Sequence, residues 1–131
     1  MDYVRLEDFR RWKSDQILRL MEAADLTKQM MAAAERNDRL SFQLLLGERE
    51  EPIQQLWELE EKIQENLISL PREDAIRCSE LLKGAAAEEP EEAVLCEQVA
   101  KYKRLLNAVI SDDQKLSERM NGNKSFYRLL R

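Results

Sequence analysis

Histidine is absent from this chain of 131 residues, and with it go the commonest general base and the commonest metal ligand. Cysteine is limited to Cys78 and Cys96, which form no Cys-x-x-Cys pair and are too few for a four-ligand zinc site. No Glu-x-x-His pair is present, which excludes the usual di-iron bundle. The only glycines, Gly47, Gly84 and Gly122, are isolated, so there is no phosphate-binding loop. The expectation is a protein that is not an enzyme and holds no metal or cofactor. Aromatic residues make up 6% of the chain and β-branched runs are missing, which leaves sheets little to pack. No run approaches the roughly 18 apolar residues of a membrane span. The start, MDYVRLEDFRRWK, is too charged for a signal peptide. Two cysteines that read as small apolar groups suit a reducing compartment, so a cytoplasmic location is expected; a regulatory disulfide is the alternative.

What the chain does have is 36% charged and 44% hydrophobic residues, dominated by Leu, Glu, Ala, Gln, Lys and Arg. With 3 Gly and 3 Pro, that is the mixture of long helices in one domain. A first periodic segment runs from Tyr3 to Arg36, with Leu6, Ile17, Leu20, Ala24, Thr27, Met31 and Ala34 at heptad steps. Phe9, Trp12, Leu18 and Met21 lie off that seam, so its apolar face is wider than one neighbour covers. Asn37 and Asp38 interrupt it, and Asp38 is a natural N-cap for a second helix. The second seam reads Phe42, Leu46, Arg49, Ile53, Leu56, Glu60, Ile63, Leu67, Leu70. Its stepping crosses Gly47 and Pro52 without an inserted residue, which predicts one kinked helix rather than two. Pro71 followed by Glu73 and Asp74 starts a short helix that Gly84 closes as a left-handed cap. A further start at Pro90 leads into Leu95, Val99, Tyr102, Leu106, Val109, Asp113, Leu116 and Met120. The expected fold is all-α: an elongated antiparallel up-down-up bundle, or coiled coil, of three long helices plus one short helix. It covers residues 1–122, with an amphipathic tail at 123–131. Glu58–Lys62, Glu73–Arg77 and Glu97–Lys101 have the spacing of surface ion pairs.

Charge is uneven along the chain. Residues 48–100 carry 15 acidic and 5 basic groups, and residues 101–131 carry 3 and 8. Attraction between bundled helices accounts for this, whereas nucleic acid would want a denser basic stripe with aromatics between. Arg49, Glu60 and Asp113 fall on core-facing seams. They either pair across helices or mark where a seam stays open for a partner helix. In the tail, Phe126, Tyr127, Leu129 and Leu130 stand beside Lys124, Arg128 and Arg131, a cluster suited to folding back on the bundle or docking on a partner.

At residues 32–63, AAAERNDRLSFQLLLGEREEPIQQLWELEEKI, the sequence resembles bacterial flagellar export chaperones of the FlgN and FliT type. The likeness lies in the order of parts: a long helix closing at a small Asn-Asp turn, a leucine-rich start, then a Glu-Arg-Glu segment leading into further heptads. The resemblance implies a cytoplasmic chaperone of flagellar type III export that holds the amphipathic helices of late substrates, hook-associated or filament-cap proteins. Such a helix would lie in an apolar groove between chaperone helices. The last helix is the candidate wall through Val99, Leu106, Val109 and Leu116, with Phe126 and Tyr127 as auxiliary anchors; the alternative is that these are ordinary core. A self-associating structural coiled coil, burying the same stripes against copies of itself, is the competing reading.

Overall fold

The structure, a computed structural model, describes residues 3–119. Among them are four α-helices and no strand: α1 (Tyr3–Glu35), α2 (Arg39–Ile68), α3 (Arg72–Leu82) and α4 (Ala93–Arg119), with a 3-10 turn at Pro90–Glu92 before the last. The all-α bundle expected from the sequence is what forms. The tail at 123–131 lies outside the described residues.

Local chemistry sets the helix ends. Asn37, at φ 55°, takes the left-handed conformation that asparagine tolerates, and its N–H donates to the Ala34 carbonyl at 3.1 Å. The Asp38 N–H donates to the Ala33 carbonyl at 2.9 Å. The Asp38 carboxylate then accepts from the Ser41 N–H at 3.1 Å, capping α2. Hydrogen bonding to Ser41 holds that carboxyl below its ordinary range. At the end of α3, Gly84 has φ +109° and donates to the Leu81 carbonyl, while the Ala85 N–H reaches back to Glu80. A side chain at Gly84 would also strike the Lys103 ammonium.

Pro52 lies within a single uninterrupted α2. Proline removes the hydrogen bond to the Glu48 carbonyl, and because Glu48 is exposed, water can replace it. Gly47, also exposed, is carried in the same helix.

Helices of 33, 30 and 27 residues measure about 50, 45 and 40 Å at 1.5 Å per residue. α1 packs along both α2 and α4, whereas α2 and α4 meet only sparsely. One core joins Leu6, Phe9 and Trp12 of α1 to Ile63 and Leu67 of α2, Leu70, Cys78 and Leu81 around α3, and Leu95 and Val99 of α4. A smaller one at the other end joins Met30 and Ala33 to Phe42 and Leu116. The starts of α1 and α4 therefore share one end with the finish of α2, so α2 runs antiparallel to both.

Two expectations need correcting. Phe9 and Trp12, placed off the α1 seam, are central to the larger core, and their rings meet edge to face at 5.2 Å. Further along, Ala23, Met30 and Ala33 are buried, while Ala24, Met31 and Ala34 are half-buried. A helix with 3.6 residues per turn drifts against a seven-residue repeat, and two flanking helices shift the buried stripe from where one partner would place it. The i to i+4 spacing predicts that Arg77 pairs with Glu73. Instead its guanidinium makes a two-pronged contact with Glu92, at 3.0 and 2.8 Å, and donates to the Ala86 carbonyl at 2.9 Å. Glu92 also accepts from the Glu88 and Glu89 N–H groups. These bonds fasten the acidic connector to α3 and aim α4.

Candidate functional site: a groove between the second and fourth helices

The seams of α2 and α4 are sealed at their ends and open in the middle. On α2, Phe42, Arg49, Ile63 and Leu67 are buried, but Leu46, Ile53, Leu56 and Glu60 are only half-buried. On α4, Leu95, Val99 and Leu116 are buried, while Tyr102, Leu106, Val109 and Asp113 are half-buried. The two open stretches face one another across a groove of about 760 Å³. Leu20 and Ala23 of α1 form its floor, Ile53, Leu56 and Trp57 one wall, and Leu106, Val109 and Ile110 the other. α1, α2 and α4 thus occupy three corners of a four-helix arrangement, and the groove is the fourth. Along α4 it runs from Val99 to Ser117, about 27 Å.

Trp57 is 64% exposed and Ile110 46% exposed, both on the rim.

Polar side chains punctuate the groove at two levels. Toward the smaller core, Arg49 of α2 crosses to α4 and donates to Asp113 at 2.7 Å, and it also donates to the Thr27 hydroxyl of α1 at 2.8 Å. Thr27 in turn donates to the Ala23 carbonyl at 2.8 Å. This chain of bonds ties three helices together where apolar packing is thin. Toward the larger core, Glu60 accepts from the amides of Gln16 at 3.0 Å and Gln64 at 3.1 Å. Beside it, the Lys13 ammonium lies 4.3 Å from the centroid of the Tyr102 ring. Burial lowers the pKa of Lys13, partly opposed by Glu60 and reinforced by Lys103. Burial, with Glu60 nearby, raises that of Tyr102. Lys103 on the rim donates to the Lys83 carbonyl.

Of the residues singled out from the sequence, Val99, Leu106 and Val109 line the groove. Val99 is also buried where the groove meets the larger core. Leu116 lies in the smaller core and faces Met30, Ala33 and Phe42. Phe126 and Tyr127 lie outside the described residues. Arg49, Glu60 and Asp113 pair across helices, the first of the readings offered for them, and the same three residues line the open stretch.

Sequence reasoning missed Trp57, Ile110 and Lys13. Trp57 and Ile110 sit one residue past seam positions, and that displacement was the available sign of a second apolar face. Lys13 gave no sign, because a lysine among charged residues reads as solvated.

Among the described residues, no three His, Cys, Asp or Glu side chains gather as a metal site, and no helix is long and apolar enough to cross a membrane. Cys78 is buried, which pushes its thiol up to about 11, so it is protonated and unreactive at neutral pH. Comparison of the chain with known protein families, with curated proteins and with solved structures gives no match.

Proposed function

We propose that this protein binds an amphipathic helix of another protein in the groove between α2 and α4, and that it acts as a cytoplasmic chaperone of flagellar type III export. The observation that carries helix binding is the vacant fourth corner, an apolar trough about 27 Å long with Trp57 and Ile110 exposed on its rim. A helix is about 10 Å across with its side chains and can match that length in some eighteen residues. Its anchors, spaced three, four and seven apart, would meet Ile53 and Leu56 on one side and Leu106 and Val109 on the other. A small ligand would bury little of so long a trough. The resemblance at residues 32–63 supplies the biological context, in which the bound helices belong to hook-associated or filament-cap proteins.

The test is calorimetry of the full chain against purified hook-associated and filament-cap proteins. The expected result is a one-to-one complex that Leu106→Asp weakens by at least about tenfold, the effect of placing an unpaired charge in an apolar contact. Leu106 is half-buried, so the variant should keep its helical circular dichroism. If those proteins fail to bind while other amphipathic helices do, the flagellar assignment falls. If no helix binds and the scattering mass rises with concentration, the groove is closed by a second copy and the chain is a structural coiled coil.

A further inference from the structure

Lys13 is 5% exposed, yet its ammonium has no hydrogen bond or ion pair among the described residues. The ammonium itself is not sealed off, so a group entering the groove can reach its three N–H donors. Glu60 lies close enough to favour the charged form of Lys13, but its oxygens accept from Gln16 and Gln64 and make no direct ion pair with the ammonium among the described residues. What Lys13 does have is the face of Tyr102 on one side and the groove on the other, and both residues line that groove. Lys103 stands at the rim of the same stretch.

This inference rests on the groove being a helix-binding site. We propose that the helix it takes carries a carboxylate on its apolar face, placed to dock on Lys13 when the apolar anchors fill the trough. The carboxylate gives the ammonium that opens on the groove an acceptor, and Lys103 adds a second positive charge beside it. At the other level Arg49 already has Asp113, so no charge is demanded there. The groove therefore reads a partner helix by an asymmetric pattern: apolar side chains along its length and one acid near the end that faces α3. That single contact fixes the direction in which the helix lies. The chain's own tail, with Lys124, Arg128 and Arg131 and no acid, lacks this feature.

The experiment uses the full chain and three designed eighteen-residue helical peptides, identical except for Glu, Gln or Lys at the position facing Lys13. Each has leucines at three-four spacing and a fluorescent label for anisotropy. The Glu peptide is expected to bind about tenfold or more tightly than the Gln peptide, as a charge-assisted bond in a desolvated site should. The Lys peptide should bind more weakly still. In Lys13→Met, which keeps the length of the side chain, the preference for Glu should shrink to within about twofold, and Lys103→Gln, on the exposed rim, should reduce it partly. Circular dichroism establishes that each variant is folded. Equal binding of Glu and Gln peptides by the unaltered chain overturns the inference and leaves the helix groove standing, as does a preference that survives in both variants. Failure of all three peptides to bind overturns the groove itself. Affinity that rises equally for all three when Phe126 and Leu130 are changed to Asp assigns the groove to the tail, and a mass that doubles with concentration assigns it to a second copy. Either result also overturns the proposal.

Discussion

The Arg49–Asp113 pair yields a prediction in which the order of effects matters more than their size. Arg49 is 2% exposed while the Asp113 side chain is 30% exposed, so the two ends of one 2.7 Å contact sit in different media. Asp113→Ala takes this acid from a buried guanidinium, and removing one partner of a buried ion pair costs about 3 kcal/mol. Arg49→Met leaves instead a carboxylate at the groove edge where water can reach it, and the unbranched side chain keeps most of the buried volume, so its cost is about 1 kcal/mol. For a domain of this size about 1 kcal/mol shifts Tm by roughly 3 to 4 °C. Asp113→Ala should therefore lower Tm by about 10 °C and Arg49→Met by about 4 °C. The double variant Arg49→Met, Asp113→Leu should be close to Arg49→Met alone, because the second change then removes an acid that has no cation to serve. Urea and thermal unfolding followed by circular dichroism at 222 nm measure all three. Arg49→Met proving as damaging as Asp113→Ala, or the double variant showing the sum of the two losses, would refute the argument from burial.

Other outcomes follow from single residues. Gly47→Ala should stabilise the protein by about 0.5 to 1 kcal/mol, since helical glycine costs that much relative to alanine and the added methyl meets nothing within 4 Å; urea titration checks it. Glu92 is held down to about 2 by the hydrogen bonds from Arg77, against an ordinary value of 4.5. A depressed carboxyl contributes stability that is fully present above the ordinary value and is lost as pH falls from about 4.5 toward 2. Glu92→Gln should be about 2 kcal/mol less stable at pH 7, with a flatter loss of stability between pH 5 and pH 2 in acid titrations followed by circular dichroism. On binding a helical peptide, Trp57 emission should move to the blue and resist acrylamide quenching; an unchanged spectrum at saturation would place the helix elsewhere.

Much of the architecture was readable because it depends on neighbours in sequence. Asn37 adopts positive φ and Asp38 caps the next helix through contacts within three residues, so the turn between α1 and α2 was visible in two letters. Gly84 ends α3 for the same reason, and the unbroken stepping past Pro52 correctly indicated one helix. The phase of α1 was less accessible. Which of Ala23 or Ala24, and which of Met30 or Met31, turns inward depends on the angles at which two other helices approach, and those angles are properties of the packed whole. Arg77 illustrates the same limit: Glu73 is near in sequence, but Glu92 is brought to it by the fold, with two hydrogen bonds in place of one exposed pairing.

The sequence by itself determined that the chain forms long helices with stripes wider than a pairwise contact hides, because helix propensity, capping and apolar period are local properties. Only the tertiary structure decided where the surplus went. α2 and α4 both pack on α1 and leave their middle turns apart, and this turns two half-hidden seams into one trough and brings Lys13 to its inner surface. A stripe records how much surface must be covered; the arrangement of helices in space decides what is left uncovered.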